Sequence, residues 1–210
     1  MELRREVIAT CREMSALGYC IYTWGNISVR LTNGIMVTPS RLDYATMTEN
    51  DLVVVNLDGE KLSGSRIPSS ETMLHCGLLA ARADIPVWIH THAPNASALA
   101  CMHSGFPVIV EDMAQIIGGP VGCGEYQPGG RHRKLADAAV SALHPESCAV
   151  LLANHGVVVG GRSLSEALVA TQVLEKAAGI WLAGGEKIVP IPEELVREER
   201  NRFLYKYGKE

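Results

Sequence analysis

Apolar residues recur along this chain at two different periods, and the alternation between them sets out the elements. At the start, Leu3, Val7, Met14 and Leu17 fall at helical spacing, and Gly18 is placed to stop that helix. Two short runs follow at residues 27–31 (ISVRL) and 35–39 (IMVTP). Between them, Asn33-Gly34 predicts a hairpin turn with positive φ at both positions. Residues 52–57 (LVVVNL) and Asp58-Gly59 predict another strand and turn. Residues 69–83 read as a helix with Leu74, Leu78 and Leu79 on one face. Residues 87–90 (VWIH) read as a buried strand, and residues 94–104 as a short helix opened by Pro94. Residues 107–110 (PVIV) suit a strand, and residues 132–144 a helix. Residues 148–161 read as two strands that meet at Asn154-His155-Gly156. The longest helix is predicted over 163–185, with Ser163 and Glu166 in capping-box spacing, and a charged final helix over 192–208.

Strands and helices are interspersed, and tight hairpins join several strands. The pattern predicts an α/β or α+β sandwich around a mixed, largely antiparallel sheet. There is no repeat or linker, so residues 1–210 are read as one domain.

Composition narrows the function. The chain is 47% hydrophobic and 20% charged, ordinary for a globular protein, and its net charge of −4 offers no footprint for nucleic acid or a membrane surface. No run of about 18 apolar residues exists, so no membrane span is expected. The start lacks the continuous apolar core of a signal peptide. Cys11, Cys20, Cys76, Cys101, Cys123 and Cys148 are scattered, with no CxxC pair. They read as free thiols in a reducing cytoplasm.

The candidate chemistry lies in histidines. In a strand, residues i and i+2 share a face, so His90 and His92 are neighbours at the end of an apolar run. A pair like this is also what a sheet shows where it emerges into solvent. His155 ends a second apolar run, and three imidazoles on adjoining strand ends could close on one divalent ion at about 2.0–2.1 Å per bond. Three protein ligands leave a coordination position open for water or substrate. Glu71 falls in the first turn of a helix after Ser69-Ser70. It either complements the helix dipole or stands beside an anion cradle of hydroxyls and backbone N–H groups. Gly25-Asn26 is a simple turn or a place where a ligand approaches the backbone. Ser40 and Arg41 supply a hydroxyl and a guanidinium that suit phosphate or carboxylate.

Together the segments GNIS, TPSRLDY, PSSE, HTHAPNASALA and NHG stand in the order and at about the spacing of the class II aldolase/adducin family. The chain resembles its L-fuculose-1-phosphate aldolase branch most, over nearly its whole length. The resemblance implies a single-domain three-layer α/β/α sandwich with a mixed, mostly antiparallel central sheet. It also implies a homotetramer with active sites between subunits. It makes His90, His92 and His155 ligands of Zn2+ (or Mn2+ or Co2+), with Glu71 as the acid–base residue that also touches the metal when no substrate is bound. Gly25, Asn26, Ser40, Arg41, Ser69 and Ser70 match phosphate-binding positions. Arg41 stands where the fuculose enzymes carry glycine, and Asp112 where they carry a tyrosine acid. Tyr207 matches an aromatic of the C-terminal tail.

The implied reaction is reversible cleavage of a ketose 1-phosphate to dihydroxyacetone phosphate and an aldehyde through a metal-stabilised enediolate. No Schiff-base lysine is required, and Lys61, Lys134 and Lys176 lie in turn-like or amphipathic settings. Partial burial would raise the Glu71 pKa toward the working pH. The alternatives are an epimerase, a decarboxylase or a dehydratase on the same metal, or a non-enzymatic adducin-like assembly module.

Overall fold

The computed structural model describes residues 2–128 and 130–206. Its elements run α1 (Glu2–Ala16), β1 (Asn26–Leu31), β2 (Gly34–Val37), β3 (Val53–Val55), β4 (Lys61–Ser63), α2 (Thr72–Ala81), β5 (Val87–Thr91), α3 (Pro94–Cys101) and α4 (Glu111–Ile116). There follow β6 (Gly122–Gly124), α5 (His132–Ala142), β7 (Ala149–Leu152), β8 (Gly156–Gly161), α6 (Leu164–Gly184) and α7 (Glu193–Tyr205). The strands form one sheet in the order β4-β3-β2-β1-β5-β8-β7-β6. Every neighbouring pair is antiparallel except β6 and β7, so the sheet is mixed and mostly antiparallel.

β5 shows how the layers form. All five of its residues are buried, as expected of a central strand covered on both faces. Val87 and Ile89 pack with Val7, Cys11 and Met14 of α1 and with Leu164 and Leu168 of α6. Trp88, on the opposite face, packs in the cluster that holds Leu74 and Leu78 of α2. α5 lies against α2, α3 against α6, and α4 bridges α6 and α7. The result is three layers, α/β/α, as the resemblance implies. Side chains such as Trp88, Leu74 and Ile89, each 0% exposed, contribute about 1.5–3 kcal/mol apiece by leaving water.

Local signals place most boundaries. α1 stops where predicted. Gly18 sits at φ +74°, its N–H bonds Ser15 O, and the Tyr19 N–H reaches back to Met14 O, a Schellman closure. α6 begins at Ser163, whose hydroxyl accepts from the Glu166 N–H.

Three readings need correction. The first hairpin turns at Thr32-Asn33, because Leu31 pairs with Gly34. Neither Asn33 nor Gly34 is left-handed. Gly34 serves close approach instead, since a Cβ there would meet Val55 O at 2.5 Å. Residues 107–110 form no strand; only Phe106 makes an isolated bridge, to Val121. β6 went unseen because Gly122-Cys123-Gly124 is too short and glycine-rich to show a period. Those glycines let α5 close in, with Ala142 O and Ala138 O 2.1 and 2.8 Å from where a Cβ would stand.

Candidate metal centre and active site

Three imidazoles meet at one end of the central strands. His90 pairs with Val158 one residue before the end of β5, His92 follows just beyond the strand, and His155 sits in the three-residue turn between β7 and β8. Their ring centroids are 4.8–5.1 Å apart, and one ligand atom from each lies within 4.8 Å of the others. Donors sharing one cation at about 2.0–2.1 Å stand about 3.3 Å apart in a tetrahedral arrangement. The His90 and His92 Nε2 atoms are 3.0 Å apart.

The chemistry of the donors fits a cation. His90 Nδ1 donates to the Val157 carbonyl at 3.0 Å, which fixes the tautomer and leaves Nε2 as a bare lone pair aimed at the cluster. Burial, then the neighbouring imidazoles, pushes His92 down to about 3, and burial lowers His90 as well. Both rings are neutral near pH 7, the form that ligates metals. His90 Nε2 is thus a buried lone pair that a cation can satisfy, with the half-buried His92 and His155 rings beside it.

Glu71 is the residue at the N-terminal cap of α2, and its carboxylate lies against the same cluster. Oε1 is 3.0 Å from His155 Nε2 and Oε2 is 3.3 Å from His90 Nε2. Asn26 Nδ2 donates to Oε2 at 2.7 Å. Burial alone would raise the Glu71 pKa, but His90, His155 and the Asn26 amide outweigh it and hold the carboxyl below its usual range. This corrects the upward tuning expected from burial. An ionised carboxylate is ready to act as a base or as a further cation ligand.

The sequence-predicted anion groups converge here too. Gly25, Asn26, Ser40, Arg41, Ser69 and Ser70 line one cleft of about 360 Å³ together with Glu71, His92 and His155. Arg41 is left-handed at φ +58°, a conformation glycine adopts freely. Gly25 has φ +106°, and a Cβ there would stand 2.4 Å from Cys20 Sγ and 3.0 Å from His90 O. The Ser69 hydroxyl accepts the Glu71 N–H at 3.2 Å, so it also orders the helix start. A second cleft of about 420 Å³ opens on the other side of Ser70, Glu71 and His155, with Tyr126, Arg131, His132 and Leu135 in its wall.

Sequence reasoning missed several supports. Buried Tyr44 donates its hydroxyl to Gly25 O and ties down the Gly25-Asn26 turn. Its place in the TPSRLDY segment was the available signal. Glu175 of α6, 8% exposed, accepts from the Asn95 and Ala96 N–H groups at 2.8 and 2.9 Å. It caps the helix that follows His92, and one acidic residue in a long helix gives no sign of that. Asn154, left-handed at φ +54°, hydrogen-bonds His103 through its side chain, fastening the turn that carries His155.

Asp112 is not brought to the histidines. It pairs with Lys176 and lines a separate surface cleft with Glu111, Gln115 and Arg202. Tyr207 lies outside the described residues.

Comparisons with known proteins match most of the chain. The profile of the family described as Class II Aldolase and Adducin N-terminal domain matches residues 5–182. A 5-methylthioribulose-1-phosphate/5-deoxyribulose-1-phosphate aldolase of Rhodospirillum rubrum is 35% identical over 206 residues, 98% of this chain and 90% of the relative. A 5-deoxy-D-ribulose 1-phosphate aldolase of Bacillus thuringiensis serovar kurstaki is 33% identical over 206 residues, 97% of this chain and 94% of that protein. Among solved structures, an L-fuculose 1-phosphate aldolase superposes with a TM-score of 0.90 at 30% identity, covering 98% of this chain and 97% of the other.

Proposed function

The chain belongs to the class II aldolase and adducin family, and from that membership we propose that it is a metal-dependent aldehyde-lyase. In this reading it cleaves a ketose 1-phosphate reversibly into dihydroxyacetone phosphate and a short aldehyde. The observation that carries the reading is the joining of two clefts at Glu71 and His155, beside three convergent imidazoles. One cleft carries the Arg41 guanidinium and several hydroxyls; the other has room for the second half of a substrate.

His90, His92 and His155 would hold the cation, with zinc the first candidate for an open nitrogen-donor site. A divalent cation there supplies Lewis-acid stabilisation of the negative charge that develops on the dihydroxyacetone phosphate half. In the condensation direction, the Glu71 carboxylate removes a proton from the hydroxyl-bearing carbon beside the ketone. That carbon then bonds to the aldehyde carbonyl, whose oxygen takes up a proton. Cleavage runs the same steps backward. Asn26 keeps Glu71 aimed, while Ser40, Arg41, Ser69, Ser70 and the Gly25 backbone bind phosphate and so place the reacting carbons.

Asp112 and Tyr207 enter this reading as groups offered to a neighbouring subunit of a homotetramer, because Asp112 faces a different cleft in its own protomer. Two of the similar proteins are named for 5-deoxypentulose phosphates, which split into dihydroxyacetone phosphate and a two-carbon aldehyde fragment, bare or methylthio-bearing. The sugar phosphate most worth testing is therefore 5-deoxyribulose 1-phosphate, with L-fuculose 1-phosphate beside it. Zinc-loaded protein should release dihydroxyacetone phosphate from one or both, and chelation should abolish the release. Carbon dioxide release from a sugar-acid phosphate, with no dihydroxyacetone phosphate from any ketose 1-phosphate, would replace the aldolase with a decarboxylase.

A further inference from the structure

We propose that His75 is a positioning residue for Glu71, acting through the side-chain amide of Asn26. His75 is fully buried on α2, one turn after Glu71, and touches neither cleft. Its two ring nitrogens are both engaged. Nε2 lies against Asn26 Oδ1, and Nδ1 is 2.7 Å from Ser28 Oγ. Asn26 and Ser28 are i and i+2 on β1, so their side chains point to the same face, and the ring bridges them.

The donor and acceptor inventory sets the direction of every bond. An ionised carboxylate only accepts, so Asn26 presents its NH2 to Glu71 Oε2. Asn26 Oδ1 is then left facing His75 and needs a donor. Burial pushes His75 down to about 3, so the ring is neutral and carries one proton. That proton belongs on Nε2, where it meets Oδ1. Nδ1 is then bare and accepts from the Ser28 hydroxyl. A flipped Asn26 amide would set a carbonyl against the carboxylate and leave the Nε2 proton against an NH2 group. Ser28, His75 and Asn26 thus form a buried chain with one consistent polarity, ending on the carboxylate that the proposed reaction uses.

The catalytic part of this inference rests on the aldolase reading; the tautomer and the amide orientation do not. Nitrogen-15 NMR of the full chain, with and without zinc, should show His75 as the neutral Nε2–H tautomer. It should also show one strongly hydrogen-bonded proton on the Asn26 amide. His75→Leu should erase that amide signature, while His75→Gln, which keeps a donor in place of Nε2, should retain it. Ser28→Ala should give mixed tautomers at His75. In the dihydroxyacetone phosphate assay, His75→Leu should lower kcat by about 10–100-fold at unchanged zinc content, the usual scale for outer supports of a site. KM should stay within about twofold, and His75→Gln should recover most of the loss.

An Nδ1–H tautomer in the parent protein would overturn the proposal whatever the enzyme does. So would an unchanged Asn26 signature in His75→Leu. If His75→Leu does not fold, the parent tautomer and the His75→Gln result decide. Should the NMR signatures hold while no ketose 1-phosphate is cleaved, the aldolase reading fails and the positioning network stands.

Discussion

At the scale of single residues, Glu71 and His92 sit side by side and answer to different measurements. Glu71→Gln keeps size and hydrogen bonding but loses the basic carboxylate. Metal content should stay near that of the parent while kcat falls by about 10²–10⁴-fold, the range for a missing general base. His92→Ala removes a lone pair from the cluster, so zinc per chain and turnover should fall together. Full zinc occupancy in that variant would take His92 out of the ligand set. Arg41 poses a separate question, because its backbone is left-handed at φ +58°. Replacing it by glycine removes strain of about 1–2 kcal/mol and adds about 0.5–1 kcal/mol of unfolded-state entropy. Arg41→Gly should therefore melt within a few degrees of the parent. Its KM for a ketose 1-phosphate should rise about tenfold, for loss of one charge-assisted contact to phosphate. An unchanged KM would remove Arg41 from the phosphate site. These residues were legible in the sequence because their types are chemically rare in such company: paired histidines at a strand end, a glutamate after two serines. His75 and Glu175 were not, because each acts only through a partner far along the chain.

At the scale of elements, the three histidines are held by ends and turns. β5 carries His90 to its rim, the β7–β8 turn carries His155, and α3 begins just after His92. The start of α3 is fastened by Glu175, whose two oxygens accept N–H bonds from Asn95 and Ala96. Glu175→Ala leaves those donors buried without a partner, which costs about 1–3 kcal/mol and loosens the His92 side of the cluster. Chemical denaturation should show the loss of stability, and zinc affinity should weaken with it. Unaltered zinc affinity in a destabilised protein would confine Glu175 to a structural role. Hydrophobic periodicity made α1, α2, α5 and α6 readable, since each lays an apolar stripe on the sheet. It failed for β4 and β6, each three residues long and joined at the sheet's edges. It also failed for residues 107–110, where an apolar run found no strand to pair with.

At the scale of the whole molecule, burial and charge couple the site to stability. His75 and His92 are held down to about 3, mainly by burial, whereas an imidazole in the unfolded chain titrates near ~6.5. Below about pH 6.5 the unfolded chain takes up protons that the native chain refuses, so stability falls as pH drops. The slope reaches up to ~1.4 kcal/mol per pH unit for each such group. Glu71 adds in the same direction at lower pH, because its depressed carboxyl stays ionised in the fold after its unfolded counterpart is protonated. Thermal melts of zinc-free protein should therefore lose Tm steadily from pH 7 to 4. A flat profile would mean that these groups are hydrated in solution. No helix among the described residues is long and apolar enough to cross a membrane. What could be read directly from the order of amino acids was local and chemical. It covers the helical stripes, the caps at Gly18 and Ser163, the donor types at positions 90, 92 and 155, and the acid at 71. Folding in three dimensions supplied what no local window holds. It set the strand order that brings β1, β5 and β8 together, the bond polarity running from Ser28 to Glu71, and the separation of Asp112 from the histidines. The reason is that periodicity and capping act over a few residues. Strand pairing and buried hydrogen bonds instead join positions dozens of residues apart, where only the packed chain decides which groups meet.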